Sequence, residues 1–125
     1  FLASGTLPIN EASFAGVKGK RDELLRGMQF ALWRMEALRQ WNRDAIWEDL
    51  KELADKLGVK IKDLLAPLFV AIAGSSASFS VVDSMEILGP DMSRARIRHA
   101  IEVLGGVSNK AMKKLEKEYQ QLTGE

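Results

Sequence analysis

No cysteine occurs in the 125 residues. That absence excludes a disulfide framework, a CxxC redox pair and any thiolate metal site. Histidine occurs once, at His99, among Arg94, Arg96 and Arg98 and without a second ligand, which reads as an ordinary surface or partly buried imidazole rather than a metal centre. An excess of one charge is also missing. With 18 basic and 17 acidic residues the net charge is +1, so bulk charge does not make the chain a strong polyanion binder. A long hydrophobic run is lacking too. Residues 64–82 are nearly uncharged over about a spanning length, but Pro67, Gly74 and the Ser-rich stretch Ser75 to Ser80 interrupt them, so no membrane span is expected. Phe1-Leu2-Ala3-Ser4 follows no basic stretch, so no secretory signal is expected. Catalytic patterns are absent as well. Gly105-Gly106 lacks the GxGxxG or GKS context of a phosphate loop, and no serine stands beside a usable base. The chain is not expected to be an enzyme by itself.

What is present is the ordinary soluble globular mix, 46% hydrophobic and 28% charged, in a length that suits one domain with one core. Residues 1–19, with Gly5, Pro8, Gly16 and Gly19, read as a connector with room for one short helical turn. From Lys20 the apolar residues Leu24, Leu25, Met28, Ala31, Leu32, Met35 and Leu38 recur at three- and four-residue steps, predicting an amphipathic helix of about five turns. Asn42 can N-cap a second helix, whose stripe Ala45, Ile46, Leu50, Leu53, Ala54 and Leu57 stops at Gly58. Its acids Asp44, Glu48 and Asp49 suit a helix start, and Glu48, Glu52 and Asp55 interleave with Lys51 and Lys56 as pairs on a wet face.

Leu64 to Ala73 is apolar nearly all round, a buried helix or an interior strand. Because Pro67 fits best near a helix start, we expect a buried helix from about Pro67 with a short helical turn before it. Ser78 or Ser80 caps a helix that ends at Gly89-Pro90, and Ser93 is expected to cap the next, which breaks at Gly105-Gly106. Ser108 caps the last, with Met112, Leu115, Tyr119 and Leu122 as its docking stripe. The fold class expected is all-α, a compact bundle or cage of about six helices. It divides into a connector (1–19), a helical domain (20–104) and a basic C-terminal helix packed on it (105–125).

Charge is arranged even though it balances. From Ala15 to Arg43 seven basic residues face three acidic ones; from Asp44 to Gly89 eight acids face four lysines; from Pro90 onward seven basic residues face five acids. Two basic flanks around an acidic middle can form one polarised surface if they meet in the fold, or be separate solvated helix faces. Lys110, Lys113, Lys114 and Lys117 fall at i, i+3, i+4 and i+7, so they share one face that attracts phosphates or simply solubilises a terminal helix. The loop from Gly74 to Phe79 is small and polar and enters a helix, where Phe79 can stack an unpaired base.

Three blocks carry a resemblance. Glu52-Leu53-Ala54-Asp55-Lys56-Leu57-Gly58-Val59-Lys60, Ala66-Pro67-Leu68-Phe69-Val70-Ala71-Ile72-Ala73-Gly74 and Val82-Asp83-Ser84-Met85-Glu86-Ile87-Leu88-Gly89, in that order and spacing, resemble the C-terminal anticodon-binding domain of bacterial glutamyl-tRNA synthetase. The likeness runs from about Glu36 to Ile101, and the Lys-rich tail is similar to an extension of some members. It implies an α-helical cage of a class I aminoacyl-tRNA synthetase that docks the anticodon loop of tRNA, with glutamate tRNA the expected partner. It also implies a partner catalytic domain upstream in the same polypeptide, which fits the missing start Met. ATP and magnesium are expected only in that domain, with no cofactor in this segment, no metal, a monomer and a cytoplasmic location.

By the same resemblance, Ser78 and Val81 align with positions that approach the anticodon; the loop that also holds Ser75, Ser76 and Phe79 is expected nearest the bases, and Arg94, Arg98 and the four lysines are expected to add phosphate attraction. Many members carry a base-reading Arg where this chain has Phe69, and a phenyl ring donates no hydrogen bond. Weaker or altered discrimination of the last anticodon base is therefore expected. The competing readings are a helical protein-interaction module without nucleic-acid binding and the related domain of class I lysyl-tRNA synthetase.

Overall fold

Helix starts and stops in this chain are written in local chemistry. A computed structural model describes residues 8–74 and 80–124. Among the described residues there are a short 3-10 turn at Glu11–Phe14, six α-helices and no strand. The turn is more than a spacer, because Phe14 is buried in the core and Ile9 and Val17 pack on it.

Helix α1 (Arg21–Ala37) buries Leu24, Leu25, Met28, Phe30, Ala31, Leu32 and Met35, more than one face, and so runs through the middle of the molecule. Helix α2 (Arg43–Leu57) begins at Asn42, whose side chain accepts from the Ala45 N–H at 2.9 Å. It ends at Gly58, whose φ of +72° is the left-handed turn that suits glycine.

Helix α3 (Ile61–Ala73) corrects the expectation at Pro67. The helix starts six residues before that proline and carries it buried in its interior. Pro67 cannot donate to the Asp63 carbonyl, so one helical hydrogen bond is forfeited. The surrounding side chains Leu64, Leu68, Val70, Ala71 and Ile72 are all buried, and this packing outweighs the local penalty. Helix α4 (Val81–Leu88) is capped by Ser80, which accepts from the Asp83 N–H at 3.3 Å.

Helix α5 (Pro90–Val103) starts earlier than expected. Gly89, at φ +87°, ends α4 and begins α5, and Pro90 takes the first helical position, where its missing N–H has no helical partner to lose. Ser93 lies buried within the helix and donates to the Met85 carbonyl at 3.3 Å. Helix α6 (Asn109–Thr123) follows Gly105-Gly106 and is capped by Ser108, which accepts from the Ala111 N–H at 3.2 Å.

Helices α1, α3 and α5 pack against one another, α2 and α4 pack together, and α2 lies on α1 and α3. The fully buried centre holds Met28, Phe30, Met35, Ile46, Leu50, Leu53, Leu68, Ile72, Met85 and Ile97. None of the described helices is long and apolar enough to cross a membrane.

Candidate nucleic-acid interface

Arginines of the basic flanks are drawn largely into internal contacts. Arg94 on α5 donates from Nε and Nη2 to the Met35 carbonyl at 3.0 and 2.8 Å, closing the C-terminal end of α1, and its guanidinium lies 5.7 Å from the Trp41 ring centre. Arg96, two residues further along, donates to the Ile72 carbonyl at 2.6 Å and does the same for α3. Cations at helix C-termini meet the negative end of the dipole. Trp41 Nε1 donates to the Met85 carbonyl at 2.8 Å, so the end of α4 is held from two sides. Arg98 stays exposed, with Glu36 at 3.7 Å.

Acids of α2 pair across helices, and among the described residues no ion pair within 4 Å joins Glu48, Glu52 or Asp55 to Lys51 or Lys56. Arg34, largely buried, reaches Glu52 at 2.8 Å and Asp49 at 3.5 Å, while its Nε is buried without a hydrogen-bond partner among the described residues. Burial pushes the Asp49 carboxyl above its ordinary range against the pull of Arg34. The hydrogen bond from Arg34 holds Glu52 below it. Arg43 pairs with Asp83 at 2.5 Å, and its backbone N–H donates to Glu86 at 3.0 Å.

Helix α6 is different. None of its residues is fully buried. Tyr119 packs against the stacked rings of Phe30 and Trp33, with ring centres 5.4 and 5.1 Å away. Glu118 pairs with Arg26, whose hydrogen bonds hold the carboxyl below its ordinary range. Lys56 of α2 donates to the Leu122 carbonyl at 3.2 Å. On the outward face Lys110, Lys113, Lys114 and Lys117 are all exposed, and none is in an ion pair within 4 Å among the described residues. The helix stands as a ridge between two open grooves of about 820 and 670 Å³.

Of the remaining residues singled out in the sequence, Phe69 lies half-buried on α3 against the core, and Val81 is buried at the first position of α4. Ser75, Ser76, Ser78 and Phe79 lie outside the described residues. Sequence reasoning missed Arg21 and Gln121, which line the larger groove beside Lys114 and Lys117. Arg21 belonged to the basic flank, but nothing local marked it as facing α6. Among the described residues no group of His, Asp or Glu could hold a metal ion.

The family model for the anticodon binding domain matches residues 1–101. The chain belongs to the anticodon binding domain family. Helix α6 lies beyond the matched part of this anticodon-binding domain, but the relatives include it. Glutamate–tRNA ligase of Cellvibrio japonicus (strain Ueda107) is 58% identical over 123 residues, 98% of this chain and 24% of the relative. That of Alcanivorax borkumensis is 59% identical over 98% of this chain and 25% of the relative. That of Psychrobacter cryohalolentis is 43% identical over 91% and 22%. The anticodon-binding domain thus spans about a quarter of the length of these curated relatives.

Proposed function

We propose that the chain is the tRNA-docking module of a glutamate–tRNA ligase. It would contribute anticodon recognition to ATP-dependent aminoacylation in the cytoplasm, as a monomer. The observation that carries this is the identity to glutamate–tRNA ligases over nearly the whole chain, with the family match beneath it. The polypeptide would hold its catalytic domain, with ATP and magnesium, in the part those relatives have beyond this segment. The turn of α3 around Phe69, the start of α4 at Val81, and Ser75, Ser76, Ser78 and Phe79 would lie nearest the anticodon bases. Arg98 and the lysines of α6 would supply sequence-independent attraction to phosphates. With Phe69 where a hydrogen-bonding reader stands in many members, the last anticodon base would be read with less discrimination.

The testing experiment is binding of a glutamate tRNA transcript to the chain across a salt series. Affinity falling steeply and log-linearly with salt is the expected result. Binding that is absent, or indifferent to salt, refutes the reading and leaves a protein-interaction bundle.

A further inference from the structure

The lysine ridge of α6 is not uniform. Lys114 and Lys117 line the larger groove, formed by α6, the start of α1 and the 104–108 turn, whereas Lys110 and Lys113 do not. Across the groove stand Arg21 and Arg26. Arg26 is neutralised by Glu118, and Asp22 adds a second carboxylate, so four cations face two acids. Arg21, Lys114 and Lys117 have no ion pair within 4 Å among the described residues. Gly105, at φ +107°, brings bare backbone to the Arg21 guanidinium: a Cβ there would stand 3.5 Å from Nη1. The floor is apolar, with Leu25, Leu104 and Leu115.

We propose that this groove seats one strand of the tRNA backbone, with phosphates between Arg21 on one wall and Lys114 and Lys117 on the other. The proposal rests on the tRNA-docking reading and refines where the phosphate contacts lie. Charge complementarity selects the occupant. Two more cations than acids line the groove, with an unpaired cation on each wall, which suits a polyanion, and an apolar floor suits the ribose edges between phosphates. A protein segment would need acids at the phosphate spacing to gain as much.

The test compares three double variants of the chain, each losing two charges: Lys114→Gln/Lys117→Gln in the groove, Lys110→Gln/Lys113→Gln on the ridge outside it, and Lys60→Gln/Lys62→Gln at the start of α3. All six side chains are exposed, so folding should persist. The probe is a glutamate tRNA transcript, titrated across a salt series. The groove pair should bind about tenfold more weakly and lose roughly one unit of log–log salt slope per lysine. The outside pair should lose less than half as much, and the Lys60/Lys62 pair nothing. Adding Arg21→Gln to the groove pair should lower the slope further. Equal losses for the two α6 pairs, or unchanged binding by the groove pair while the parent chain still binds, overturn the groove. Failure of the parent chain to bind refutes instead the function on which the proposal rests.

Discussion

Replacing Tyr119 by Ala should release α6 while leaving the rest of the bundle folded. The reasoning starts from the absence of any fully buried residue on α6 and from the two ring contacts of Tyr119, at 5.4 Å to Phe30 and 5.1 Å to Trp33. An aromatic pair contributes about 0.5–1.5 kcal/mol beyond area burial. Two such pairs therefore put about 1–3 kcal/mol of docking free energy on this one side chain. That is about a 5- to 150-fold rise in the undocked population. The five other helices share a core in which Tyr119 is only a peripheral member, so their opening is governed by the global free energy. Amide hydrogen exchange read by mass spectrometry separates the two. Peptides from 109–123 should lose protection by that factor, and peptides from α1, α3 and α5 should be within twofold of the parent. Equal loss of protection throughout the chain would refute the argument, because α6 would then open only with the whole molecule. Unchanged protection in α6 would refute it from the other side.

Two further outcomes follow from the charged contacts. Glu118 has its folded pKa held below the ordinary glutamate value of 4.5 by Arg26, so its contribution is complete above that pH and is lost as pH falls through the folded value. The stability gap between the parent and Glu118→Gln, a few tenths to about 1 kcal/mol for a half-exposed pair, should be present in melts at pH 6 and close on acidification; a gap that persists in acid rules out the pair as its source. Arg94→Met keeps an apolar stem but removes the hydrogen bonds to Met35, which should lower the unfolding free energy by about 1.5–3 kcal/mol, read as a lower denaturant midpoint with m unchanged. Because that guanidinium is turned inward, the salt slope for tRNA should stay as in the parent, and a smaller slope would show that Arg94 reaches phosphate.

How much of this was legible before the structure depends on the range of the interactions. Asn42, Ser80 and Ser108 act as caps through atoms three residues away, and that chemistry is visible in any sequence. Pro67 misled because its cost is local and its compensation is tertiary: the proline rule sees the missing N–H but not the buried neighbours. Ser93 misled in the opposite way, since a good capping residue was read as a cap when Gly89 and Pro90 had already begun the helix. The pairing of Glu52 with Arg34 crosses from α2 to α1, and no spacing rule along one helix reports it. The same holds at the candidate interface. Periodicity placed four lysines on one face of α6, but only the docking of α6 beside α1 divides them into a groove pair and an outer pair.

Gly89 gives the fold a corner without slack. With Gly89 the single residue between α4 and α5, the two helices cannot reorient independently unless that residue turns, and the Met85 carbonyl is pinned close by through Trp41 and Ser93. Densely packed interiors transmit displacement instead of absorbing it. A push on the first turn of α4 is therefore delivered to α5, and from α5 through Arg94 and Arg96 to the far ends of α1 and α3. The bundle is wired so that a load at its smallest helix is borne by the two helices that bury the most residues.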